Sequence, residues 1–141
     1  MTSSLAGAKE ARSEIKKFHV SLNQANLVPE QCYRRNHHNY PLVSYVSQIA
    51  ALFFSSNYEV IPVFIKRTVA ELDRNGSQPV TENYRKIVYD YLCEMTYFLK
   101  NYSPVEHETL KYHIPEDIYN AGPKKAPEID HQTLQFKNTQ E

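Results

Sequence analysis

Apolar residues return along this chain at spacings of three and four, the rhythm of helices that pack by one face. Leu5, Ala8, Ile15, Phe18, Leu22 and Ala25 form the first stripe. It is narrow and thin toward its start, which predicts a helix over residues 4–26 that packs by one edge or against a partner, with Pro29 just beyond its end. Leu42, Val43, Tyr45, Val46, Ile49, Ala50, Leu52, Phe53 and Phe54 cover most of the circumference of a second helix, residues 41–54, opened by Pro41. A helix that apolar is expected at the centre. Ser56-Asn57-Tyr58-Glu59 matches the S-x-x-E capping box of a third helix, although Pro62 moves its regular part toward residue 62. Ile61, Phe64, Ile65, Thr68, Val69 and Leu72 supply its face, and it ends before Gly76. Tyr84, Ile87, Tyr91, Met95, Phe98 and Tyr102 alternate at three and four residues, widened by Val88, Leu92 and Leu99. They predict a long fourth helix after Pro79, with Thr81 as its cap.

Ser103-Pro104-Val105-Glu106 reads as the start of a short fifth helix reaching Tyr112, and residues 115–120 add one further turn. From Gly122 the periodicity stops. The expected architecture is all-α: a compact helical bundle of four main helices, with the second, third and fourth forming the core, plus the short fifth helix. Residues 1–112 make the bundle domain, and residues 113–141 an extended or disordered C-terminal tail.

Composition narrows the function more than the fold. The chain has 141 residues, so one domain is expected. Its 16 basic and 16 acidic side chains cancel, but residues 1–40 carry +3 and residues 103–141 carry −3. With no sustained basic face, nucleic acid is disfavoured as the main partner. No run of about 18 apolar residues offers a membrane span. Residues 1–18 have no apolar core for a signal peptide, and their acidic residues count against a transit peptide. Two isolated cysteines, Cys32 and Cys93, make no disulfide framework and suggest a reducing, cytoplasmic setting. Only three glycines occur, and Gly76 and Gly122 read as punctuation.

Enzymatic signatures are missing: the sequence has no GxGxxG, GxxxxGK[ST], HExxH or GxSxG. Glu106/Glu108 and Glu116/Asp117 read as solvated acidic surface, because a general acid/base pair needs burial to split its pKa values. Cys32 with His37 or His38 falls short of the four spaced ligands that zinc asks for, so no metal or cofactor is expected. Residues 61–72 are similar to the opening helix of Rho-family GTPase-activating domains. That family's Gly-x-x-Arg segment is missing, since Ser77, Gln78 and Pro79 follow Gly76, and no family is assigned.

What remains points to a non-enzymatic module that binds another protein, a small adaptor or an accessory subunit. Tyrosine is in surplus, at 11 residues. Tyr89 and Tyr97 sit off the fourth helix's main stripe, and Tyr112, Ile114, Ile118, Tyr119, Leu134 and Phe136 dot the C-terminal stretch. Exposed aromatics of this kind suit an interface. Residues 5–25 are a candidate surface for self-association. The alternative is a polyanion-binding loop at Tyr33, Arg34, Arg35, His37 and His38, where arginines lie between tyrosine and histidine.

Overall fold

In a computed structural model, which describes residues 2–25, 41–74, 82–130 and 135–136, six α-helices follow one another. They are α1 (Thr2–Ala25), α2 (Pro41–Phe54), α3 (Ile61–Leu72), α4 (Glu82–Tyr102), α5 (His107–His113) and α6 (Glu116–Tyr119). A 3-10 turn, Tyr58–Val60, leads into α3, and a two-residue antiparallel pairing sets Ile129 opposite Phe136 and Asp130 opposite Gln135. The described residues form a compact all-α fold.

The alternating stripe of α4 carries the core. Its residues 91–96 are buried around the whole circumference, and Tyr84, Ile87, Val88, Phe98 and Leu99 extend the burial toward both ends. The central position expected for α2 therefore belongs to α4. Apolar residues around α2 do not enforce burial, because burial depends on how many neighbours a helix meets. α4 meets α1, α3, α5 and α6, whereas α2 packs mainly on α3 and the 3-10 turn. Only the stripe Leu42, Val46, Ile49 and Phe53 of α2 is buried, and Phe54 remains 56% exposed.

α1 packs by one stripe, as expected, and the surface it packs on is α4. Ala11, Ile15, Phe18 and Leu22 are buried along α4, and this is the most extensive helix pairing among the described residues. The two helices run antiparallel: Gly7 lies against Tyr102 at one end, and the Phe18 ring meets the tilted ring of Tyr91 at a centroid distance of 6.0 Å toward the other. Of residues 5–25, expected as a surface for self-association, the apolar stripe is thus buried on α4. Lys9, Glu10, Ser13, Lys16, Lys17 and Val20 form the outward face.

Two start signals act instead as stop signals. Ser56 has φ +61°, and its N–H donates to Phe53 O (3.1 Å) while that of Asn57 donates to Leu52 O (2.8 Å). This pair of bonds around a left-handed residue is a Schellman closure of α2, not the opening of α3. Ser103 likewise closes α4, its hydroxyl donating to Leu99 O at 2.9 Å, and α5 begins only at His107. Thr81 and Gly76 lie outside the described residues.

The C-terminal stretch splits in two. After α5, residues 114–121 fold back on α4 and bury Ile114, Ile118 and Tyr119 in the same apolar cluster as the four long helices. The expected turn over residues 115–120 is there, as α6. Residues 122–128 then run without helix or strand along α1 and α4. The stretch expected as a free tail from residue 113 is part of the body as far as Tyr119.

Candidate functional site

Of the tyrosines expected at an interface, Tyr112 is the one fully displayed, at 77% exposure. It sits on α5, its ring 5.7 Å from the Lys66 ammonium of α3 and edge-on to His113 at 4.9 Å. Tyr89 is half-buried, and its hydroxyl donates to Asp117 Oδ2 of α6 at 2.9 Å. That bond, which holds the proton on the phenol, is the main reason its pKa is pushed up to about 12. Tyr97 is half-buried and meets Tyr102 at 6.2 Å.

Ile114 and Ile118 are core residues, so their expected role in docking a partner is corrected: Ile114, at 3% exposure, and Ile118, at 2%, spend nearly all their surface on the core. Tyr119 is buried too, with the Lys100 ammonium 4.3 Å from its ring centre. The Tyr119 hydroxyl is 3.1 Å from His107 Nδ1, while His107 Nε2 faces the Lys100 carbonyl at 3.0 Å. A carbonyl can only accept, so Nε2 carries the hydrogen, and in the neutral imidazole Nδ1 then accepts from the tyrosine hydroxyl. An open hollow of about 430 Å³ lies beside Tyr119, lined by Lys111, Ile114, Glu116 and Asn120. Leu134 lies outside the described residues, as do Cys32, Tyr33, Arg34, Arg35, His37 and His38, and Phe136 is placed by its backbone alone.

The structure assembles a site that the sequence did not announce, on the face shared by α1 and α4. Gly7, Glu14 and Ser21 recur every seven residues, which keeps them on one stripe of α1. Glu94 faces this stripe from α4. Across the seam runs the extended segment Gly122-Pro123-Lys124-Lys125-Ala126-Pro127-Glu128. In extended chain, groups two residues apart point the same way. The N–H of Lys124 accordingly donates to Glu94 Oε1 at 2.7 Å and that of Ala126 to Glu14 Oε2 at 2.6 Å. The Ser21 hydroxyl adds a third bond, to the Pro127 carbonyl, at 3.2 Å.

Glu94 is 3% exposed, and burial pushes its pKa above the usual carboxylate value, against the opposing pull of the Lys124 N–H. Beside the segment opens a groove of about 290 Å³, lined by Glu10, Glu14, Glu94, Tyr97, Tyr102 and the two lysines, among others. The floor beside it is tight: a Cβ on Gly7 would strike the Tyr102 hydroxyl, so glycine at this helix position allows the close approach. The one available signal was a carboxylate inside the apolar run Tyr91-Leu92-Cys93-Glu94-Met95, a buried charge that demands a partner.

Reactive chemistry is muted elsewhere. Cys93 is free, 1% exposed, and its thiol is pushed up to about 11 by burial. His19 lies between α1, α2 and α4, where it shares a 2.9 Å hydrogen bond with the Tyr91 hydroxyl and meets the Phe54 ring at 5.0 Å. Burial lowers its pKa to about 4. Among the described residues no three His, Cys, Asp or Glu side chains are grouped to hold a metal, and no helix is long and apolar enough to cross a membrane. No protein-family model, curated protein or solved structure matches this chain.

Proposed function

We propose that the protein is a non-enzymatic interaction module, a small adaptor or accessory subunit that docks another protein on the α1–α4 face around Tyr97, with Tyr112 as a second contact. The observation that carries the reading is the way residues 122–128 lie on that face. Two carboxylates from different helices accept backbone N–H groups of an extended segment. Main-chain capture of this kind is how proteins hold extended peptides, with neighbouring side chains setting the preference. Tyrosines such as Tyr97 and Tyr102 give a large contact area at low entropic cost. A reducing, cytoplasmic setting belongs to the same proposal and is supported by the free, buried thiol of Cys93.

The test retrieves proteins on the tagged full chain, identifies them by mass spectrometry, and rebuilds the complex from purified components. The expected result is a defined protein bound at fixed stoichiometry, at least tenfold more weakly by Tyr97→Ala, the loss typical of an interface tyrosine. If nothing is retained beyond the tag control, or if binding ignores Tyr97, the reading falls. Point variants are needed here, because truncation after Tyr112 would also remove Ile114, Ile118 and Tyr119 from the core.

A further inference from the structure

We infer that residues 122–128 are a built-in ligand, and that the α1–α4 groove accepts in their place an extended, lysine-containing, proline-flanked peptide from another protein. This rests on the interaction reading above and names the partner's chemistry.

The built-in segment supplies the template. It offers the N–H groups of Lys124 and Ala126 to carboxylates, its Pro127 carbonyl to Ser21, and two lysines to a groove carrying Glu10, Glu14 and Glu94. The charges are complementary, and no bond to Glu94 or Glu14 uses a side chain that another extended peptide would lack. Pro123 and Pro127 flank the donors, so the segment has little helical or sheet alternative to lose. Gly122, at φ +82° with open space around its α-carbon, joins it to Ile118 and Tyr119, which are anchored in the core. The segment can therefore leave while α6 stays. The groove beside it leaves room for a bulkier occupant around Tyr97 and Tyr102.

A tethered ligand competes at a high effective concentration, roughly millimolar for a short linker, so a free peptide binds the wild-type chain poorly. Weakening the tethered copy without touching the groove exposes the site. Ala126→Pro does this, since it removes the N–H that meets Glu14 and alters no residue of α1 or α4.

The probe is the fluorescent synthetic peptide Gly-Pro-Lys-Lys-Ala-Pro-Glu, titrated by polarisation into full-length wild type, Ala126→Pro, and Ala126→Pro combined with Glu14→Ala or with Glu94→Ala. Binding is expected to tighten at least tenfold in Ala126→Pro. It should weaken at least tenfold again on loss of either carboxylate, and also when both lysines of the peptide are replaced by glutamate. Glu14 is only half-buried, so its variant remains informative even if the Glu94 variant does not fold. No binding to Ala126→Pro, or binding indifferent to Glu14, overturns the inference while leaving the interaction reading to its own pull-down. A concentration-dependent dimer of the wild type that Ala126→Pro abolishes also overturns it, in favour of segment exchange between two copies.

Discussion

Residues 114–121 and residues 122–128 are neighbours in sequence, and both come back onto α4, but they are held by different physics. The first is fixed by burial: Ile114 and Ile118 stand four residues apart and sink into the core, and Tyr119 caps them under Lys100. The second buries no side chain completely, Lys124, Ala126 and Pro127 being only partly covered, and its backbone is tied to α1 and α4 by hydrogen bonds, two of them to carboxylates. Burial is non-directional and needs no particular donor, so it welds a segment to the body. Hydrogen bonds exchange with water and contribute about 1 kcal/mol each in net terms, about 1.5–3 kcal/mol where the acceptor is charged, so a few of them leave a segment removable. One connection serves stability, and the other can serve binding.

The largest effect should come from the welded part. Ile118→Ala deletes a side chain of 2% exposure and should cost about 2–5 kcal/mol, with a drop in Tm of about 10 °C or more. Urea unfolding checks this: the midpoint should fall with the slope unchanged. A loss below about 1 kcal/mol would show residues 114–121 to be as detachable as those that follow, and the contrast would collapse.

Acid next compares a partly buried group beside the core with a carboxylate that holds the segment. The folded pKa of His19 is about 4 against an ordinary 6.5, so between those values the unfolded chain binds the proton and the folded chain does not. Stability is fully present above pH 6.5 and declines as the pH falls toward 4, by at most about 3 kcal/mol, and by less for the part of the ring that water reaches. His19→Phe should flatten that slope. Glu94 has the opposite sign. Its folded pKa is raised, so its contribution is fully present below the ordinary carboxylate value and is lost as the pH rises through the folded pKa. Glu94→Gln should therefore remain close to wild type in stability at pH 7 and leave the His19 slope intact. Denaturant titrations from pH 7.5 to 4.5 on the three proteins read both signs.

How much of this was legible follows from which interactions leave a periodic trace. The stripes of α1 and α4 carry i, i+3, i+4 spacing over many turns; every stripe residue of α4 but Tyr102 is buried, as are Ile15, Phe18 and Leu22 of α1. Ile114 and Ile118 are a single i, i+4 pair among prolines and charges, too short to display a period, and so they read as a loose tail. Ser56 misled because the S-x-x-E pattern is chemically complete, while the left-handed backbone that makes it a helix stop is invisible in a serine. The groove was the least legible feature. Any residue but proline can donate a backbone N–H, so the acceptors' side of the contact alone is written in side chains, and Glu14 and Glu94 sit in amphipathic helices where carboxylates ordinarily meet water.

The smallest expected change tests the comparison most directly. Ala126→Pro breaks one hydrogen bond outside the core and should lower global stability by about 1.5 kcal/mol, a few degrees in Tm. Its local effect should be far larger. In hydrogen exchange the Lys124 amide, bonded to Glu94, should lose at least tenfold of its protection, while amides in the middle of α4 keep theirs. That pairing of a nearly silent global transition with a large local opening is what a segment held by hydrogen bonds predicts. If the variant instead unfolds as a whole, or if Lys124 exchanges only through global unfolding in the wild type, residues 122–128 are as integral as Ile118, and a groove that can be vacated would have no basis.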